Sequence, residues 1–226
     1  MNYIRFSNTY NVQQLTKELE QVLQQDWPLH FNTKDFNGDW RSISLRSTTG
    51  QSTDIRAQEN VEYRDTPALQ MMPYVKEILD AWQCEKEAVR LLSLAPGSEI
   101  KPHRDMGCGY LDNSFRIHIP IITNQEVYFT IEDETLHLQA GDCWYMDFSL
   151  THSIVNHGNT ARIHLIMDCI RNEWTDKLFA SYGFDISEKD PLQQYDAATK
   201  AKMIEELEKI DTETARNIIA SLKAAN

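Results

Sequence analysis

The stretch SFRIHIPIITNQEVYFTIEDETLHLQAGDCWYMDF, Ser114 to Phe148, decides the fold class. It holds four short runs, SFRIHIPII, VYFTIED, TLHLQ and CWYMDF, rich in β-branched and aromatic residues and punctuated by the turn signals TNQ and QAGD. Runs of this length, bounded by polar and glycine-containing turns, read as strands rather than as turns of a helix. The pattern continues in both directions. Upstream lie AVRLLSL and EIKPHRD, separated by APGS; downstream lie HSIVN and ARIHLIMDCI, separated by NHGNT. Roughly eight strands at this spacing, with no helix-length interruption, exclude βαβ units and predict a sandwich or barrel. The expected core, from Ala88 to Cys169, is a cupin-like jelly roll, that is, a double-stranded β-helix.

The flanks read differently. Residues 11–26 place Val12, Leu15, Leu19, Val22 and Leu23 at helical spacing. WRSISLRS alternates as a strand and puts Trp40, Ser42, Ser44 and Arg46 on one face. Residues 47–65 are polar and aperiodic, the texture of a functional lid or insert. Thr66-Pro67 supplies an N-cap and a first-turn proline for a single helix to about Trp82. After Trp174 and the turn-rich SYGFDISEKDPLQQYD, two amphipathic helices are expected, AATKAKMIEELEKI and TETARNIIASLKAAN. Their apolar positions, Met203, Leu207, Ile210, Ile218, Ile219 and Leu222, pack on the barrel or on each other, with a homodimer contact as the alternative use. The expected organisation is a mainly β domain with N-terminal helices over 1–174 and a C-terminal helical extension over 175–226.

Bulk properties narrow the function classes. A chain of 226 residues, 41% hydrophobic and 25% charged, has the composition of a globular protein large enough to enclose a pocket. A net charge of −12 opposes a nucleic-acid surface, which needs a surplus of Lys and Arg. No apolar run approaches the ~20 residues that span a bilayer, so no membrane partner is expected. The four cysteines form no C-x-x-C pair, and MNYIRFSNTY lacks a secretion signal's apolar core. Reduced thiols and a cytoplasmic location are the expectation.

The chemistry concentrates in IKPHRDMGCGY, Ile100 to Tyr110. On a strand, residues i and i+2 share a side, so His103 and Asp105 project together while Arg104 points away. An imidazole and a carboxylate so placed can reach one divalent ion; most such pairs are simply polar surface. A kinase catalytic loop is excluded, because Tyr110 stands where the loop needs Asn and DFS at 147–149 is not DFG. Of the seven histidines, His152 at the start of HSIVN is the best third ligand, while His157 beside Gly158 reads as a loop residue. Two histidines and a carboxylate on one face form the triad of non-haem Fe(II) oxygenases, with positions left for co-substrate and O2. Arg162, in ARIHLIMD, is a cation among apolar strand residues, and FRIHIPI repeats the pattern with Arg116 and His118. Such a cation needs an anion. For Arg162 that anion is either one of the 34 acidic side chains or the distal carboxylate of a bound 2-oxoglutarate.

PGSEIKPHRD, FRIHIPI and LTHSIVNHGNTARIHLIMD together resemble the aspartyl/asparaginyl β-hydroxylase family of 2-oxoglutarate- and Fe(II)-dependent oxygenases, in particular the branch of bacterial proline cis-hydroxylases. The resemblance covers Val89 to Cys169 and extends more loosely upstream. It implies Fe(II) ligation by His103, Asp105 and His152, and 2-oxoglutarate binding by Arg162, His118 and Arg116. The animal protein hydroxylases of the family lack a carboxylate at the position of Asp105, so its presence leans toward the small-molecule branch. The implied reaction uses O2 to hydroxylate an aliphatic C–H of an amino acid, free or within a peptide. Trp40 and Arg46 are the candidate substrate contacts. Two other classes compete: a cupin-like metal isomerase or dioxygenase that needs no 2-oxoglutarate, and a non-catalytic sensor of metal or oxo acid.

Overall fold

The alternation of the central stretch becomes antiparallel strands throughout. The computed structural model describes residues 1–58, 61–187, 196–210 and 212–224. In chain order the elements are β1 (Tyr3–Thr9), α1 (Val12–Val22), β2 (Phe36–Asn37), β3 (Trp40–Ser47), β4 (Arg64–Asp65), α2 (Pro67–Gln70), α3 (Pro73–Ala81), β5 (Lys86–Leu94) and β6 (Glu99–His103). Then follow β7 (Ser114–Ile122), β8 (Val127–Ile131), β9 (Glu134–Leu136), β10 (Asp142–Met146), β11 (His152–Asn156), β12 (Arg162–Ile170), α4 (Glu173–Ser181), α5 (Ala197–Glu208) and α6 (Glu213–Ala224). One sheet has the order β1-β10-β7-β12-β5-β3-β4, the other β2-β6-β11-β8-β9. The two sheets face one another as a double-stranded β-helix, as the strand count predicts. Leu92, Leu94, Trp144 and Ile166 from the larger sheet interleave with Ile100, Phe129, Ile131 and Ile154 from the smaller.

The outer face of the larger sheet is covered by helices. Asn11 caps α1 by accepting from the Gln14 N–H, and Leu15, Leu19 and Val22 form its buried stripe. Glu18 on the same helix accepts the Tyr74 and Val75 N–H groups at 2.7 and 3.2 Å, satisfying orphan donors at the start of α3. The single helix expected from Pro67 to Trp82 is therefore two. Pro73 has no N–H to donate and its ring obstructs the preceding turn, so α2 stops before it and α3 restarts on it. Thr66 does not cap; its hydroxyl donates to the Ser44 carbonyl. The N-terminal strand β1 went unrecognised in the sequence, although Ile4 and Phe6 alternate into the core.

The described residues of the polar stretch 47–65 are held by local bonds and by bonds to β3. The Asp54 carboxylate accepts from the Thr48 and Thr49 hydroxyls, and the Tyr63 hydroxyl bonds the Gln58 backbone. At the other end, the chain forms two compact units, Met1–Phe184 and Asp185–Asn226. The expected boundary after Trp174 falls inside α4, which belongs to the first unit: Phe179 is fully buried against Phe6, Tyr110, Phe115, Tyr145 and Phe184. In the second unit α5 and α6 pack together. The stretch expected to be turn-rich lies in part, at 188–195, outside the described residues. Among the described residues no helix is long and apolar enough to cross a membrane.

Emptying the aromatic cluster tests this boundary. Phe179→Ala is expected to cost about 3–5 kcal/mol of unfolding free energy in a denaturant titration. A cost near that of a surface substitution would mean that α4 is a detachable appendage.

Candidate metal centre

Antiparallel pairing of β6 with β11 sets His103 directly across from His152, ring centroids 4.2 Å apart. Each ring is oriented by its own strand: His103 Nδ1 lies 2.7 Å from the Lys101 carbonyl oxygen, and His152 Nδ1 lies 3.0 Å from that of Leu150. A carbonyl only accepts, so both Nδ1 atoms carry the proton and both Nε2 lone pairs are free to ligate. Asp105 stands just past the end of β6, fixed by its N–H to the Phe148 carbonyl at 2.9 Å. Its Oδ1 is 3.7 Å from His103 Nε2, and one ligand atom from each of His103, Asp105 and His152 falls within 4.8 Å of the others. Gly107, at φ +76°, makes the turn that follows, and a side chain at Gly109 would meet Asp147 Oδ1 at 2.8 Å. Burial pushes the His152 imidazole down to about 4, so it is neutral at physiological pH. Burial alone would raise the Asp105 carboxyl; Arg116 overrides it, and the net shift is downward. A neutral imidazole and an ionised carboxylate are the forms a divalent ion takes, so the donor set fits such an ion.

Arg116 lines the same cavity as the triad, but its guanidinium is engaged within the fold. Its Nε donates to Asp168 Oδ1 at 2.6 Å, its Nη1 to Asp105 Oδ2 at 2.6 Å, and its Nη2 to Asp168 Oδ2 at 3.4 Å. Every guanidinium nitrogen is engaged by a carboxylate, so its first partners are acids of the fold. Asp168 in turn receives Arg90 Nη2 at 2.5 Å. Asp168 and Arg90 were missed in the sequence. Arg90 did carry a signal, a lone charge between Val89 and Leu91; Asp168 becomes visible only when pairing sets it opposite Arg116.

Arg162 is the contrast. It is 1% exposed, yet among the described residues its one polar side-chain contact is Nη2 to His164 Nδ1 at 2.8 Å, and its Nε and Nη1 have no partner there. Burial draws its guanidinium down to about 9, still cationic at neutral pH. With Trp40, Arg116, His118, Phe148 and the triad it lines one cavity. Trp40 Nε1 and both nitrogens of His118 are likewise buried without a partner among the described residues. Unmet donors around a guanidinium fit a carboxylate, which only accepts. His30, not singled out in the sequence, stacks on Trp40 with centroids 3.6 Å apart. Arg46 does not reach this cavity. The register shifts between Ser44 and Arg46, so the face shared with Trp40 ends there, and Arg46 pairs with Asp65 and the Tyr63 carbonyl. His157 is exposed and apart from the triad.

Comparison with known proteins follows this geometry. L-proline cis-4-hydroxylase of Rhizobium meliloti (strain 1021) is 32% identical over 135 residues, covering 58% of this chain and 48% of that protein. L-proline cis-3-hydroxylase 1 of a Streptomyces species is 28% identical over 137 residues, covering 58% and 47%. The chain thus spans about half the length of the curated relatives it matches. The crystal structure of an oxidoreductase of the 2OG-Fe(II) oxygenase family from Burkholderia pseudomallei shares the fold, with a TM-score of 0.55 at 10% identity over 76% of this chain and 86% of that one. The sequence profile of the aspartyl/asparaginyl β-hydroxylases matches residues 9–172, which takes in the triad, Arg162 and Asp168. The chain belongs to the aspartyl/asparaginyl β-hydroxylase family.

Proposed function

We propose that the chain is a 2-oxoglutarate- and Fe(II)-dependent oxygenase that hydroxylates an aliphatic C–H of a free amino acid, L-proline or a close analogue. The observation that carries this reading is Arg162, a buried cation without an acidic partner among the described residues, beside a His/Asp/His cluster. A cupin-type isomerase would not need a guanidinium kept ready for a dicarboxylate. The identities of the matched relatives support the substrate class.

In this reading His103, Asp105 and His152 hold the metal. Bound Fe(II) supplies the oxidising chemistry, with O2 as oxidant and 2-oxoglutarate decarboxylated to succinate. Arg162 binds the distal carboxylate of the oxo acid as a charge-assisted pair. Trp40 Nε1 and the single N–H of the neutral His118 donate to the bound acids. Ile100, Phe148 and Ile154 wall the cavity and exclude water from the reacting centre.

The direct test is anaerobic addition of Fe(II) and 2-oxoglutarate, then oxygen, with L-proline, its ring homologues and proline peptides, read by mass spectrometry. A gain of one oxygen with matching succinate is expected; no oxygen-dependent succinate with any substrate would refute the assignment. Arg162→Ala should raise the 2-oxoglutarate requirement at least about 30-fold, the loss of roughly 2 kcal/mol from a buried charged pair, while metal binding persists.

Burial holds His118 and His164 well below the ordinary histidine value and His30 at about 3. Groups with depressed folded values take up protons on unfolding, so their stabilisation is complete above about 6.5 and is lost as pH falls below it. The melting temperature of the metal-free protein should therefore decline between about pH 7 and pH 5, above the range where carboxylates titrate. A flat profile there would show that these rings titrate in the fold as they do in the unfolded chain.

A further inference from the structure

Asp168 sits on β12 between two arginines from the neighbouring strands, Arg90 on β5 and Arg116 on β7. The links run Arg90 Nη2 to Asp168 Oδ2 at 2.5 Å, Arg116 Nε to Asp168 Oδ1 at 2.6 Å, and Arg116 Nη1 to Asp105 Oδ2 at 2.6 Å. We propose that Asp168, with Arg90, is a positioning residue for the metal centre: it locks Arg116 across to Asp105, so that Asp105 offers one oxygen rather than two.

The inference rests on the triad reading above and specifies how that site is tuned. Asp105 stands beyond the end of β6, where no ladder constrains its side chain. Arg116 supplies the constraint by occupying Oδ2, which leaves Oδ1 facing His103 Nε2. Monodentate ligation matters because a chelating co-substrate needs two adjacent coordination positions and O2 a third. Stability alone is a weak reason for the cluster, since buried ion pairs often add little over apolar packing. A network built only for stability also has no cause to tie one oxygen of Asp105 and leave the other free.

Lysine keeps the charge at position 116 but cannot span two carboxylates. The test is therefore R116K, R90K and D168N in the full chain, each titrated with Co(II), with affinity and the cobalt d–d spectrum as readouts. Thermal unfolding of the metal-free proteins reports folding separately. A fall in Co(II) affinity of about 10–100-fold is expected for R116K and D168N, the usual cost of removing a partner that orients a ligand. The d–d bands should shift in the same two variants, and R90K should show a smaller loss in the same direction. Should D168N fail to fold, R116K decides. Wild-type affinity and an unchanged spectrum in every folded variant would overturn the inference while leaving the metal site intact. By contrast, H103A binding Co(II) as well as wild type would remove the triad reading itself.

Discussion

A buried charge must meet its opposite or remain costly, and β12 shows both outcomes on one strand. Its inward face carries Asp168 at one end and Arg162 at the other, each 5% exposed or less. Asp168 is met from both sides by arginines. Among the described residues Arg162 meets only a neutral histidine, although a chain with net charge −12 has acids to spare. The strand is central in its sheet, so neither side chain can turn out to water. On the proposed reading, this difference in pairing separates the part of the cavity that shapes the metal centre from the part that takes an anion.

Most of the β scaffold was legible because alternation is a local signal. Each of the strands read between Ala88 and Cys169 is present, since apolar residues at period two have to face a core. What escaped depends on chain neighbours or on distant partners. Pro73 splits a helix that the apolar stripe alone would carry through. A one-residue shift after Ser44 turns Arg46 from Trp40's face toward Asp65. The domain end moved because Phe179 is an anchor only when Tyr110 and Tyr145 are already beside it.

The site divides along the same line. His103 and Asp105 were visible through their two-residue spacing, and His152 through its place at a strand start. The sequence also presents FRIHIPI and ARIHLIMD as equivalents, an arginine and a histidine two residues apart in each. Pairing breaks that equivalence: Arg116 lies across from Asp168, whereas Arg162 lies across from Leu94. One guanidinium is consumed within the fold and the other is spared, a distinction that no local pattern encodes.

The sparing of Arg162 has an evolutionary consequence. Judged on folding alone, leucine would serve better at that position, so selection for robustness pulls against selection for ligand capture. On the proposed reading, the succinate left by turnover ends in the same terminal carboxylate as the acid it came from. The group that recruits the co-reactant therefore also retards the departure of its spent remnant, which gives the catalyst a built-in brake when succinate accumulates.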